Sequence, residues 1–241
     1  PMLHIHHSNR LEALRDMLLR QLDGAGGDVF AAEQIIVPSA ALRRHLSLGL
    51  ADARGVCTQL RFDFLAQWLW RQVARIVPGV ADASPFAAQV LTWRVDAAFG
   101  DAAFVGAHPR LQAYLREADA LMRYELACQV AVLLEQYVTY RPDWLQAWRD
   151  GGRLEGPAGG HEDTAWQAAL WRRISTELDM DAPHPVQDFV AALQRGGPEL
   201  ACRAGLPSCV HVFALPAMAP LHMRLLLQLA RSVDVHLYVL N

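Results

Sequence analysis

Arginine and aromatic residues form the one concentrated pattern in this sequence that could do chemistry. They alternate over residues 61–71 (RFDFLAQWLWR) and again over residues 136–144 (QYVTYRPDW). Aromatic rings can stack on the bases of single-stranded nucleic acid while arginine contacts the phosphates. However, Phe64, Trp68 and Arg71 share one helical face, so part of that face must belong to a protein core. Both nucleic-acid binding and simple packing therefore stay open.

The basic residues exclude several kinds of active site. All 22 of them are arginine, so the chain has no lysine. A Walker A lysine, a Schiff-base lysine and the lysine of restriction-type nuclease sites are therefore absent. The loop after the first predicted strand, residues 7–10 (HSNR), contains no glycine that would let the backbone wrap a triphosphate. An active nucleotide-dependent enzyme is consequently the weakest interpretation.

Metal and nucleophile chemistry are also disfavoured. Strand alternation places His7 on the opposite face from His4 and His6, and no carboxylate lies nearby in sequence, so we interpret all three as ordinary strand and cap residues. No GxSxG elbow is present. The cysteines lack CxxC spacing and are interpreted as reduced thiols: Cys57, Cys128, Cys202 and Cys209. We predict no catalytic residue, no metal and no cofactor.

Composition indicates an ordinary globular protein. The chain has 241 residues, of which 53% are hydrophobic and 20% charged, and its formal net charge is −3. This excludes disorder. No run approaches the roughly 18 apolar residues of a spanning helix, and the start lacks the layout of a signal peptide. We therefore expect a cytoplasmic protein without a membrane segment.

The elements that must position these residues alternate between strand and helix. Three strand–helix units predict a parallel sheet with right-handed crossovers, with strands near 3–7, 34–38 and 57–62. Helical spacing then dominates five segments: 85–99, 109–140, 143–149, 164–179 and 186–195. Strand character returns at 209–214 and 233–240, on either side of a helix at 220–231.

This order predicts an α/β fold with two domains. Residues 1–78 and 205–241 would form the sheet domain, and residues 79–204 a large all-helical insertion. The final strand has no covering helix after it, and Pro1 precedes a methionine. We therefore expect the natural protein to start at Met2 and to continue beyond Asn241.

Several runs of residues resemble a known family. They are HSNRL at 7–11, YRPDWL at 140–145, AWQ and LW within 165–171, and GLPS followed by VFA within 205–214. In order and spacing they are similar to the amino-terminal part of the RecC family, the gamma subunit of exodeoxyribonuclease V (the RecBCD complex). The resemblance extends from Met2 to Asn241, and this chain would be a minor part of such a subunit.

The resemblance implies a fold and a function. The fold would be that of the first motor domain of a P-loop, superfamily 1 helicase, with a helical insertion and without the ATPase motifs. The subunit would hydrolyse nothing itself. It would bind single-stranded DNA, guide the strand ending 3′, scan it for the recombination signal Chi during double-strand break repair, and brace RecB-like and RecD-like partner subunits.

The resemblance also implies DNA-binding positions. Carried over to this sequence, they are Arg44, Phe64, Trp70, Leu133, Glu135, Gln136 and Arg141. Among them, Trp70 would stack on a base, Gln136 would hydrogen-bond a base edge, and Arg141 would contact a phosphate.

Three further positions, which the resemblance places along the DNA path, depart from the family pattern. Pro38, Ala40 and Val132 stand where the best-known members have polar or acidic side chains. Because loss of hydrogen-bonding groups changes which base is favoured, we hypothesise that this protein reads a different signal, or reads one less stringently. The rival interpretation is an adaptor whose Trp-rich face binds a protein partner without contacting DNA.

Overall fold

The computed structural model divides the chain into two compact units. It describes residues 1–24, 32–55, 60–152, 154, 163–178 and 185–241, so Cys57 lies outside the described residues. Residues 1–82 and 185–241 form one unit, called here the sheet unit. Residues 83–184 form the other, the helical unit. The sequence placed these divisions near 78 and 204 instead.

The sheet unit contains a parallel sheet. Its strands are β1 (Leu3–Ser8), β2 (Glu33–Ile36), β3 (Leu60–Asp63), β4 (Cys209–Phe213) and β5 (Asp234–Leu240). Their order across the sheet is β1-β5-β4-β2-β3, and every neighbouring pair is parallel. The predicted α/β class with a parallel sheet is therefore confirmed.

Helices cover both faces of this sheet. One face carries α1 (Leu11–Gly24) and α2 (Ala40–Arg54), and the other carries α3 (Leu65–Ile76), α10 (Pro185–Arg203) and α11 (Pro220–Leu229). Alternation along β2 shows the two cores directly, because Ile35 packs with α1 and α2 whereas Ile36 packs with α3, α10 and α11. The sequence had assigned all of α10 to the predicted insertion at 79–204.

The connections follow the right-handed rule for parallel strands. The chain moves across the sheet from β1 to β2 and β3 through α1 and α2 on one face. It then returns to β4 and β5 with α3, α10 and α11 on the opposite face. Opposite directions of travel on opposite faces give every crossover the same hand, as the right-handed rule requires.

The helical unit consists of helices in its described part. They are α4 (Ala88–Phe99), α5 (Ala102–Gly106), α6 (Pro109–Leu115), α7 (Ala120–Tyr140), α8 (Pro142–Arg149) and α9 (Thr164–Glu177). The most extensive contact joins α4 to α7. Ala127 and Ala131 on α7 are fully buried, and such small side chains permit close helix packing. No helix among the described residues is both long and apolar enough to cross a membrane.

The prediction of one helix over 109–140 is wrong. The chain leaves helical structure after Leu115 and starts a new helix at Ala120. Asp119 caps that second helix, since its carboxylate accepts a hydrogen bond from the Met122 backbone N–H at 2.8 Å. Leu121 and Met122, in the first turn of the second helix, are exposed although they continue the apolar spacing of the sequence.

Candidate nucleic-acid interface

At the β1–α1 corner, a side chain of the protein itself pairs with one backbone N–H at the start of α1. Ser8 Oγ accepts a hydrogen bond from the backbone N–H of Arg10 at 3.1 Å, just before α1 begins at Leu11. No glycine occurs before Gly24, so the backbone here carries a side chain at every position. A triphosphate requires close approach to the backbone amides, and side chains at every position of this corner hinder that approach.

The carboxyl ends of β2 and β3 lie side by side in the sheet unit, at a switch point of the topology; this place is called here the crevice, after the usual feature of such switch points. The strands are neighbours, and the Val37 N–H donates to the Asp63 carbonyl at 3.0 Å. The helix that follows β2 turns to one face of the sheet, whereas the helix that follows β3 turns to the other. Such a divergence opens the position at which parallel α/β sheets usually bind ligands.

Residues at the start of α2 line one side of this crevice. Ser39 caps the helix by accepting the Leu42 N–H at 3.2 Å, which places Pro38 and Ala40 at the mouth. Arg44 lies one turn further along α2 and is exposed.

Phe64 lies on the other side, at the corner between β3 and α3. Its side chain is 44% exposed, and its backbone is extended. The preceding residue, Asp63, fixes the corner, since its carboxylate pairs with Arg71 on α3 and accepts a 2.9 Å hydrogen bond from Gln34 Nε2 on β2. An exposed ring on an anchored backbone is well suited to stacking.

Part of the Trp70 side chain is buried, so only the rest of its ring could stack on a base. The indole N–H of Trp70 donates to the Ala81 carbonyl at 2.9 Å. Trp68, two residues earlier, is 2% exposed and belongs to the core. The sheet unit therefore presents Phe64 as its exposed ring at this corner and holds Trp70 in place by a hydrogen bond.

A second group of predicted residues lies on the carboxyl half of α7, in the helical unit. Val132, Gln136 and Tyr140 are spaced by four residues and all are exposed, so they form one stripe. Leu133 borders the stripe and is half-buried. The sequence carried over Gln136 but not Tyr140, whose ring is 57% exposed.

Glu135 has a structural partner. Its Oε1 atom accepts the backbone N–H of Ala88 at 3.1 Å, at the start of α4. The residue in the N-cap position, Ala87, makes no side-chain cap of its own. A carboxylate here satisfies a free amide and complements the helix dipole, so Glu135 joins α7 to α4.

Arg141 lies where α7 ends and α8 begins, and it already has partners. Its Nε and Nη2 atoms donate to the two carboxylate oxygens of Asp143 at 3.1 and 2.8 Å. Its guanidinium also lies 3.8 Å from the centroid of the Trp144 ring. The ion pair raises the pKa of Arg141 and lowers the pKa of Asp143.

Comparison with known proteins now identifies the family. The family model "RecC, N-terminal domain" matches residues 3–241. The chain belongs to the RecC N-terminal domain family. Curated RecBCD enzyme subunits RecC align with it at 29% identity over 252 residues in Escherichia coli K12, 31% over 261 residues in Mycobacterium tuberculosis and 26% over 263 residues in Haemophilus influenzae.

These alignments cover nearly the whole chain but little of each relative. They include 98–100% of this chain and only 22–23% of the RecC proteins. The resemblance drawn from HSNRL and YRPDWL is therefore confirmed. The two groups of site residues carried over from the RecC family remain predictions, and each group lies in a different unit.

One cluster in this RecC-family chain was missed by sequence reasoning. On the α1 face of the sheet, the rings of His4, His6, His211, His236 and Tyr238 lie beside one another, with centroids of neighbouring rings 4.4–6.0 Å apart. His211 Nδ1 lies 3.2 Å from the Tyr238 hydroxyl. No group of three or more His, Cys, Asp or Glu side chains in the described part of the chain is arranged to hold a metal ion.

Proposed function

We propose that this chain is the amino-terminal domain of a non-catalytic, helicase-like subunit in a RecBCD-type complex that processes DNA ends during double-strand break repair. In this role it binds single-stranded DNA, guides it, and scans it for a Chi-type signal. Its partners would be RecB-like and RecD-like subunits, which supply the helicase and nuclease activities. Membership in the RecC N-terminal domain family supports this proposal.

The crevice beside Phe64 is the observation that carries the DNA-binding part. It combines an exposed ring, a fixed backbone and an exposed arginine at the carboxyl edge of a parallel sheet. The net charge of −3 gives no general attraction for DNA, so binding must come from such local groups. Pro38 and Ala40 at the mouth offer no side-chain hydrogen bond to a base, which favours reading by shape and stacking.

The non-catalytic part rests on the β1–α1 corner and the absence of lysine. In helicase-type motors this corner is where a P-loop grips the nucleotide. Here Ser8 already occupies the Arg10 amide, and neither glycine nor lysine is present. Calorimetry with ATP and the full-length protein should give no binding. Micromolar affinity would contradict the proposal.

Fluorescence anisotropy with labelled oligodeoxythymidine tests DNA binding by the full-length protein. Phe64→Ala should weaken binding at least about fivefold, because stacking on one base contributes ~1–3 kcal/mol. Arg44→Gln should reduce the slope of log affinity against log salt by about 0.7, as expected for one lost phosphate contact. Leu48→Ala and Arg20→Gln, both exposed helical positions of the sheet unit, serve as matched controls.

Co-purification tests the assembly. The tagged full-length protein from its host should bring down two helicase-sized partners. Their absence, or an affinity for oligodeoxythymidine that does not change with salt or with Phe64→Ala and Arg44→Gln, would contradict the proposal.

The adaptor alternative has one specific observation in its favour. Among the seven tryptophans, Trp93 on α4 is 67% exposed, and its ring lies 5.8 Å from that of Tyr124 on α7. Four of the others, Trp68, Trp148, Trp166 and Trp171, are buried, so no broad Trp-rich face exists. If Trp93→Ala abolishes partner co-purification while Phe64→Ala leaves DNA binding unchanged, the adaptor interpretation is the better one.

A further inference from the structure

Arg141 already has a carboxylate partner at the groups with which it would bind a DNA phosphate. Arginine binds phosphate and carboxylate with the same two-pronged geometry. In this structure the Asp143 carboxylate already accepts hydrogen bonds from the Nε and Nη2 groups of Arg141, at 3.1 and 2.8 Å. A DNA phosphate that approached these two donor groups would find them occupied by the Asp143 carboxylate.

We infer that in the free protein Asp143 occupies the two donor groups of Arg141, Nε and Nη2, that would bind a phosphate. On DNA binding, a DNA phosphate replaces Asp143 at these donors. This inference rests on the proposed function, because it concerns how one residue of that interface is regulated. Asp143 acts through Arg141 and is therefore a positioning residue. By competing with DNA, it would set how strongly Arg141 contributes to binding.

The surroundings of the pair permit such an exchange. Arg141 and Asp143 are both largely exposed, with side chains 43% and 63% accessible, so the pair is hydrated and only weakly stabilising. The Cζ atom of Arg141 lies over the Trp144 ring, 3.8 Å from its centroid. This cation–π contact can hold the guanidinium in place while the carboxylate is exchanged for a phosphate.

The local sequence explains why the carboxylate lies so close to the arginine. Pro142 separates the two residues and starts α8, which brings Asp143 into the first turn of that helix. A carboxylate in a first turn is favourable on its own, so Asp143 keeps a stable position after it releases Arg141.

Asp143→Asn in the full-length protein tests the inference through DNA binding. Removing the competing charge should tighten binding of labelled oligodeoxythymidine about two- to fivefold at low salt, the range expected from an exposed ion pair. The slope of log affinity against log salt should stay close to that of the parent, because Arg141 contacts one phosphate in both complexes. Adding Arg141→Lys should cancel the gain, because lysine cannot form the two-pronged contact.

Asp150→Asn is the matched control. Asp150 follows the last residue of α8 and binds Gln146 Nε2 at 2.9 and 3.1 Å, so it carries the same charge without contacting Arg141. If Asp143→Asn binds DNA no more tightly than Asp150→Asn, or binds less tightly than the parent, the inference is wrong. Asp143→Ser repeats the test if the asparagine variant has a lowered melting temperature.

A measurement without DNA separates this inference from the proposed function. Because its hydrogen bonds with Arg141 lower the pKa of Asp143, an NMR titration of the Asp143 carboxyl group should show a lowered pKa in the parent and a higher pKa in Arg141→Gln. An Asp143 pKa that does not change in Arg141→Gln would show that the pair does not form, which overturns the inference. If the pair forms but neither the parent nor Asp143→Asn binds oligodeoxythymidine, the proposed function fails at this site instead.

Discussion

The buried imidazole of His211 links the stability of the sheet unit to pH. Burial is the main cause that lowers its pKa to about 3, and the nearby His236 and His6 lower it further. The neighbouring His236 has its pKa lowered to about 4, again chiefly by burial. Both imidazoles are therefore neutral in the folded protein over most of the acid range.

Several other polar groups face His211 from the surrounding strands. Cys209 Sγ lies 3.6 Å and Glu33 Oε2 3.9 Å from its Nε2 atom, and Tyr238 lies at Nδ1. Burial raises the pKa of Cys209 to about 12 and also raises that of Glu33. Burial also raises the pKa of Tyr238, so Cys209 and Tyr238 stay neutral and compensate no charge on His211, whereas Glu33 is the carboxyl group that faces it.

His211→Phe should make the protein less sensitive to acid. The unfolded chain binds a proton at His211 near pH 6.5, whereas the folded protein binds it only near pH 3. The stability is therefore complete above pH 6.5 and is lost as the pH falls, by about 2 kcal/mol at pH 5 from this residue. Urea unfolding at pH 7 and pH 5 should show a smaller loss in the variant.

His7→Phe provides the control for that experiment, because His7 lies on the same sheet but is exposed. It should keep the acid sensitivity of the parent. Equal losses of stability between pH 7 and pH 5 in the parent and in His211→Phe would show that His211 is not responsible.

At the scale of elements, variants of Glu135 can show whether its side chain serves helix packing or DNA binding. Its carboxylate caps the amide of Ala88, so Glu135→Ala leaves the start of α4 without a partner from α7. The free energy of unfolding of the helical unit should fall by about 1–2 kcal/mol. Glu135→Gln keeps an accepting oxygen and should cost less.

Melting temperature and oligodeoxythymidine affinity should be measured on the same variants. Glu125→Ala, an exposed glutamate on the same helix, is the control and should leave both unchanged. If Glu135→Ala weakens DNA binding without lowering the melting temperature, its role is direct contact with DNA, as the family resemblance implies.

The elements were predictable where one local signal dominated. The runs around Ile35, Val212 and Val235 are apolar and short, which predicted buried parallel strands. The helix over 109–140 failed because apolar spacing continued across a break that depends on a single cap. Asp119 was the available signal, since an aspartate that precedes an apolar run is typical of a helix start.

At the scale of the whole molecule, what could not be predicted depends on strand order. The histidine cluster exists because β5 lies between β1 and β4, which brings together rings that are more than 200 residues apart in sequence. Periodicity gives the face of each side chain but not the neighbour of each strand. By contrast, the pair of Arg141 and Asp143 is local, and the sequence RPD before a helix contains both partners.

The uneven distribution of these histidines predicts that acid affects the two units differently. In the sheet unit, burial lowers the pKa of His6, His211, His222 and His236. In the described part of the helical unit, His108 is the one histidine with a lowered pKa. Each lowered pKa opposes folding as the pH falls below 6.5, so the sheet unit should lose more stability than the helical unit.

Hydrogen exchange at pH 7 and pH 5, corrected for intrinsic exchange rates, can measure this difference. The opening free energy of amides in β4 and β5 should fall by at least about 2 kcal/mol, whereas that of amides in α4 and α7 should fall less. His211→Phe should reduce the fall in β4 and β5 and leave α4 and α7 unchanged. An equal fall in both units of the parent would mean that they unfold together, because the cluster itself lies entirely in the sheet unit.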